Sequence, residues 1–285
     1  MIDKIPGCRV ALWGGLLLTL LLAGCAGSNT EEARTFQMLS DKGRAYLERG
    51  NATMALPALQ QANRLRPGQV ALLTDLGLAY DQVGRPVQAL ESLEEAHRLQ
   101  PNDGNLNNNL GVARLRVHAI SCLESVDPGC QQWLEQAEEA FRAALRDPAL
   151  KGLENVWFNL ALLYKQRGQG RQMEAALEKT LEISGHHLAA RLALAEYHHG
   201  IGRFELERQQ LRAALAINPD HVAVLERLLD SFFATGPTGR DLLSSDLSAG
   251  ERLEVRALLS RMLSLAPGTE AAERASRRVL LLDNK

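Results

Sequence analysis

The chain is short of aromatic residues, of cysteine and of any concentration of one charge. Phe, Trp and Tyr make up 5% of its 285 residues against 46% apolar residues overall, so its core must be built mainly of Leu and Ala. That composition favours helices. The formal net charge is −2, and it becomes −3 without the first 24 residues, in which Asp3, Lys4 and Arg9 sum to +1. No block of like charge stands out, and a nucleic-acid partner is not expected. A membrane-spanning helix needs about 20 apolar residues; the run from Val10 to Leu22 is too short and has the length of a signal-peptide core. Catalysis needs a nucleophile with its base, paired carboxylates or converging metal ligands. None of these patterns is present, so the reading is of a non-enzyme without cofactor or small-molecule substrate.

What is present begins at the N-terminus. Lys4 and Arg9 precede the apolar run, and Leu22-Ala23-Gly24-Cys25 closes it. This resembles the lipobox of bacterial lipoproteins, which implies cleavage after residue 24 and a diacylglycerol on the Cys25 thiol. The plainer alternative is an ordinary signal peptide that happens to end near a cysteine. Residues 25–35, polar from Gly27 to Arg34, would then be a tether to the membrane. Each buried acyl CH₂ contributes about 0.8 kcal/mol, and two chains give stable anchoring. Ala26 follows the cysteine where Asp would signal retention, and by resemblance to enterobacterial sorting this implies the periplasmic face of the outer membrane.

Four cysteines are present; Cys8 lies in the leader and Cys25 is assigned to lipid, which leaves Cys122 and Cys130. In one continuous helix these two would be about 12 Å apart, beyond disulfide reach. Asp127-Pro128-Gly129, directly before Cys130, is a turn signal that permits a reversal and a bridge. An exported domain is where such a bridge persists; two free thiols are the alternative. The spacing matches no zinc pattern.

From residue 36 the sequence is self-similar with a period of 34, the mark of tetratricopeptide (TPR) helix-turn-helix units. Repeat 36–69 carries Gly43, Tyr46, Ala55, Leu59, Ala62 and Pro67; repeat 70–103 carries Gly77, Tyr80, Ala89, Leu93, Ala96 and Pro101 at the same offsets. Small residues let two helices approach, larger ones fill the adjacent layer, and Pro stops the second helix. Repeat 104–153 has Leu110 and Gly111, but its second helix, with Ala137, Phe141 and Ala144, is delayed by an insertion that holds both cysteines. Repeat 154–187 has Trp157, Leu160, Ala161 and Tyr164. Repeat 188–221 has Leu194, Ala195, Leu211, Ala214 and Pro219, but His198 and Glu207 depart from the pattern and predict looser packing of its two helices.

A sixth unit, 222–268, breaks at Thr235-Gly236-Pro237-Thr238-Gly239 and resumes at a capping-box pattern, Ser248 with Glu251. Residues 269–285 place Ala272, Ala275, Val279 and Leu282 on one face, as a solvating cap helix should. The expected fold is therefore an all-α TPR superhelix of about six repeats with a C-terminal cap. Both insertions fall between the two helices of a repeat and are expected to protrude on one edge of the stack. Gly168-Gln169-Gly170 and Gly200-Ile201-Gly202 read as repeat turns, since no strand precedes them. The pairs His186-His187 and His198-His199 lie at opposite ends of one helix, roughly 16 Å apart, too far to share a metal.

First helices of TPR units line a groove, and the family's contact positions are the second, fifth, ninth and twelfth of each repeat. Carried onto this chain, these are Thr74 and Leu78, then Asn105, Asn108 and Val112, then Phe158, Leu162 and Lys165, then Leu192 and Glu196. Such a floor suits a helix or extended segment of a partner protein. The alternatives are that Leu78, Leu162 and Leu192 pack between helices and that Asn105 caps one.

A lipobox, a polar tether and about six TPR units together resemble the type IV pilus biogenesis lipoproteins, the pilotins that bring the secretin ring to the outer membrane. Leu106-Asn107-Asn108-Asn109-Leu110-Gly111 and Leu153-Glu154-Asn155-Val156-Trp157-Phe158-Asn159-Leu160 are similar to the third-repeat and fourth-repeat openings of that family. The resemblance implies a secretin subunit as partner, with another envelope component, such as a peptidoglycan-enzyme or polysaccharide-export complex, as the alternative.

Overall fold

A computed structural model describes the backbone of residues 11–122, 128–233 and 247–283, and the side chains of 30–122, 129–232 and 247–277. Among the described residues there are thirteen α-helices and no strand. They fall into two compact units, 1–151 and 152–285.

The first unit contains α1 (Ala11–Glu48), α2 (Ala52–Leu65), α3 (Val70–Gln82), α4 (Pro86–Leu99), α5 (Gly104–Ser121) and α6 (Pro128–Ala144). The helices pack as three hairpins, α1 with α2, α3 with α4 and α5 with α6, and each second helix also packs on the next first helix. The small residues of the 34-residue pattern set the spacing within a hairpin. A Cβ added to Gly77 would lie 2.6 Å from Leu93 Cγ, and one added to Gly111 would lie 2.6 Å from Phe141 Cε1. Only hydrogen fits there. Ala55, Ala89, Leu59, Ala62 and Ala96 are fully buried or nearly so around these contacts. Fully burying one such Leu contributes about 1.5–3 kcal/mol. Between hairpin helices, Gly84 takes φ 74°, Arg85 donates its N–H to the Tyr80 carbonyl at 2.8 Å, and Pro86 opens α4 at a position that needs no N–H.

The structure departs from the sequence reading in two places. Residues 30–35, expected to belong to a tether, continue the helix that becomes the first repeat, and Thr35 Oγ1 bonds back to the Glu31 carbonyl at 2.9 Å. The physical reason is local: Glu31, Glu32, Ala33 and Arg34 are good helix formers with no breaker before Phe36. In the third repeat the inserted residues lengthen both helices, to 18 residues in α5 and 17 in α6, against 13 in α3 and 14 in α4. Cys122 and Cys130 are joined in a disulfide, with their Cα atoms 5.8 Å apart, across the end of this extended hairpin. Residues 123–127 lie outside the described residues; of the turn signal these include Asp127, while Pro128 and Gly129 open α6.

The second unit contains α7 (Leu153–Gln166), α8 (Gly170–Ile183), α9 (Leu188–Gly200), α10 (Phe204–Ile217), α11 (Val222–Phe233), α12 (Ala249–Leu265) and α13 (Glu270–Asp283). Its largest core joins Leu211, Leu225, Leu228, Phe232, Leu259 and Met262, with Ala275 of α13 closing it. Ser248 and Glu251 form the reciprocal capping box at the start of α12, with bonds of 3.3 and 2.8 Å. Arg274 fastens α13 to Glu226 of α11 and also pairs with Glu270 at 2.6 Å. Ala272 is buried beside Ala275; Val279, Leu282 and the Thr235–Gly239 break lie outside the described side chains.

The loosening expected at His198 and Glu207 does not occur. Both are buried, and Ala195, Leu211 and Ala214 around them are fully buried. Glu207, at the offset where the second repeat has Ala89, accepts from His199 Nδ1 at 2.9 Å and from Arg227 Nε at 3.4 Å. The carboxylate thereby ties α10 to both α9 and α11, which compensates its loss of water.

Candidate partner-binding surface

In the first unit, successive first helices are joined by ion pairs. Arg44 of α1 meets Asp75 of α3 at 3.0 Å, and Arg116 of α5 meets Asp81 of α3 at 2.7 Å. Burial pushes both aspartates above their ordinary pKa, and the neighbouring guanidinium only partly offsets it. The five expected groove residues of this unit are spread over α3 and α5. Thr74 is half-buried and spends its hydroxyl on the Val70 carbonyl at 2.9 Å. Leu78, Asn108 and Val112 are half-buried, and Asn105 is exposed. Asn105 does not cap α5: Asp103 does, accepting from Leu106 N–H at 2.9 Å.

In the second unit four of the five expected residues come together. Leu162 and Lys165 of α7 and Leu192 and Glu196 of α9 line one concavity of about 290 Å³, floored by Met173 and Leu177 of α8 and closed by Arg227 of α11. They meet because positions five, nine and twelve fall on one face of a 3.6-residue helix, and the face of α7 is set against that of α9. Lys165 Nζ and Glu196 Oε1 pair at 2.9 Å, both about half exposed. The same two residues border a second concavity of about 310 Å³ with Tyr197, Gly200 and Ile201, so the ion pair is a polar bar between two apolar hollows. An exposed pair of this kind contributes about 0–1 kcal/mol to stability and is cheap to rearrange for a ligand. Leu162 is 37% exposed and Ile201 45%.

Phe158 is the exception among the five. Its ring packs against His187 at 4.8 Å between centroids with the two planes tilted by 39°, and His187 caps α9 by accepting from Ala190 N–H through Nδ1 at 3.1 Å. Phe158 thus positions the start of α9. The sequence reading missed Arg227, which sits one place beyond a contact position, and could have reached it only from the buried Glu207 that it pairs with.

The surface is amphipathic: aliphatic hollows flanked by one acid and two bases. It has the means to hold an apolar side chain in each hollow and to exchange the Lys165–Glu196 pair for contacts with a partner's charges. Among the described residues no three His, Cys, Asp or Glu side chains converge as a metal site, and no helix is long and apolar enough to cross a membrane.

Comparison with known proteins bears on the scaffold. Residues 154–187, the fourth repeat, match the tetratricopeptide repeat model. Among solved structures the chain is similar to one from a functional characterization of Pseudomonas aeruginosa pilF, with 18% identity, 87% of this chain and 99% of that chain covered, and a TM-score of 0.61. It is also similar to PilW, described as a widely conserved type IV pilus biogenesis factor, at 14% identity, 85% and 98% coverage and a TM-score of 0.61. A thermophilic TPR protein of Thermus thermophilus matches at 21% identity, 69% and 98% coverage and a TM-score of 0.56. Identities this low establish the fold, an all-α TPR solenoid. No curated protein sequence matches the chain.

Proposed function

We propose that this chain is an outer-membrane lipoprotein, anchored through acyl chains on Cys25, whose α7–α9 surface binds a segment of a secretin subunit during type IV pilus assembly. The TPR scaffold is a protein-interaction fold, and the observation that carries the reading is the convergence of Leu162, Lys165, Leu192 and Glu196 on one amphipathic hollow. The Leu22-Ala23-Gly24-Cys25 stretch supports the anchor. Two of the similar structures, from work on pilF and on PilW, support the choice of pilus assembly over other envelope complexes.

In this reading the helix that continues from residue 30 into the first repeat is a rigid stand-off. At about 1.5 Å per residue, a helical path from residue 25 to residue 36 would place the first repeat roughly 16 Å from the lipid attachment. The experiment is to replace Cys25 by Ser in the host and assay the heat-resistant secretin multimer in outer-membrane fractions. Its loss, together with release of the chain from membranes, is the expected result. Release with an intact multimer and normal pili would reject the secretin assignment and leave a scaffold for another envelope complex. Continued membrane attachment would reject the anchor.

A further inference from the structure

The two apolar hollows of the α7–α9 surface share one floor. Met173 of α8 and Ala193 of α9 line both; one hollow continues toward Leu162 and Leu192, the other toward Tyr197 and Ile201. Along α9 the first spans Ala189 to Glu196 and the second Ala193 to Ile201; along α7 the first spans Ala161 to Lys165 and the second Lys165 to Gly168. At about 1.5 Å of helix rise per residue, their centres lie roughly 5–7 Å apart. The wall of the second hollow is fixed. A Cβ added to Gly170, at the start of α8, would lie 2.7 Å from Tyr197 Cε2, so the ring rests on bare backbone.

Charge on this surface is balanced. Lys165 and Glu196 pair with each other, and Arg227 is held by the buried Glu207. The surface therefore favours neither an acidic nor a basic side chain, and recognition rests on the hollows and on what passes between them. Spacing alone admits two kinds of occupant. Side chains two apart on an extended strand are about 6.6 Å apart, and those four apart on a helix are about 6 Å apart along its axis.

The ion pair decides between them. It stands between the hollows with both side chains about half exposed, so any segment that fills both hollows must cover it. A helix laid there has its own N–H and C=O groups already bonded to one another; the ammonium and the carboxylate would lose water and gain no partner. An extended segment has free main-chain groups at that point. The C=O and N–H of one peptide unit leave a strand on opposite sides, as Lys165 on α7 and Glu196 on α9 require. An exposed pair opens at little cost, so the ammonium can donate to the C=O while the carboxylate accepts from the N–H.

We propose, resting on the reading of the α7–α9 surface as the docking site, that its occupant is a segment in extended conformation. Two apolar side chains at alternate positions fill the two hollows, and one peptide unit between them is inserted between Lys165 and Glu196.

The test uses the full chain in detergent, labelled with ¹³C at its methionine methyl groups, and follows the Met173 resonance, which reports on both hollows. Three capped probes are titrated: glycine-leucine-threonine-leucine-glycine, its isomer glycine-leucine-leucine-threonine-glycine, and a lactam-bridged alanine helix with leucines four apart. The alternating peptide should shift Met173 saturably and bind at least about tenfold more tightly than either of the others. Replacing the inserted amide by an ester, tried at each of the two peptide units between the leucines, should weaken binding at least about fivefold at one of them. Lys165→Ala with Glu196→Ala, both at exposed positions where folding is not at stake, should erase that difference. Tighter binding of the helix would overturn the extended form and leave the docking reading standing. Equal binding of the two isomers would overturn the alternation, and esters without effect, or an ester effect that survives the double variant, would overturn the insertion. No shift with any probe would overturn the proposal and the docking reading together.

Discussion

The second and fifth repeats have the same length and the same helix pair, yet they bury opposite kinds of residue at matching positions. The second repeat places Ala89 and Tyr80 where the fifth places Glu207 and His198. Ala89 and Glu207 are both wholly inaccessible to solvent. The hairpin geometry is thus fixed by its other positions, the small residue on the first helix and the Leu and Ala on the second. The offset of Ala89 is free to carry a charge provided that charge is paired. In the fifth repeat the pairing comes from within the hairpin, through His199 of α9, and from outside it, through Arg227 of α11. A repeat that looks degenerate in isolation is therefore well packed in its stack, and one of the two residues that rescue it also closes the candidate binding hollow.

The comparison can be broken most severely by moving the charge. Ala89→Glu buries a carboxylate with no equivalent of Arg227 and should destabilise by about 3–5 kcal/mol in urea unfolding. A loss below 1 kcal/mol would mean that the site is less enclosed than its burial indicates. Reduction of the Cys122–Cys130 disulfide, which closes a short loop at the end of the lengthened third-repeat hairpin, should lower stability by about 2–3 kcal/mol, read as a drop in Tm in reducing buffer. Cys122→Ser with Cys130→Ser should match it and remove any dependence on reductant.

A smaller effect is expected from the reverse change. Glu207→Ala restores the repeat's usual residue and leaves only the partly exposed His199 and Arg227 unpaired, so stability should change by no more than about 1 kcal/mol. The smallest is a slope with pH. Burial pushes the imidazole of His198 below its ordinary value of 6.5, only partly offset by Glu174, so the folded chain keeps it neutral. Below 6.5 the unfolded chain takes up a proton that the folded one refuses, and stability should fall as pH drops through that window. His198→Tyr, the residue of the second repeat, should flatten Tm between pH 7 and 5.5 relative to wild type. Asp75 and Asp81, raised by burial, act with the opposite sign and are common to both proteins.

The repeat architecture was legible because it rests on local and periodic features. Gly77 opposite Leu93, Pro86 at a helix start and the Ser248–Glu251 box each state their role within one 34-residue unit or one helical turn. The candidate site was half legible: Leu162, Lys165, Leu192 and Glu196 follow from position in the repeat, whereas Arg227 is found only through its contact with Glu207. Phe158 lies apart from the other four because its ring packs on His187, a contact that depends on where the preceding loop carries that imidazole. The lengthened α5 and α6 were hidden by composition, since an insertion with a turn signal reads as loop although most of it extends helices. The continuation of helix through residues 30–35 was concealed in the same way by polarity, which marks exposure and says little about backbone conformation.

The account stands on the α7–α9 hollow being the place where the partner docks. The direct measurement is the double variant Leu162→Glu with Leu192→Glu, with Cys25 intact and both side chains at exposed or half-buried positions where helix formation is preserved. With normal abundance and membrane attachment of the variant, the account predicts loss of the heat-resistant secretin multimer. An undiminished multimer with the variant folded and membrane-bound would contradict it.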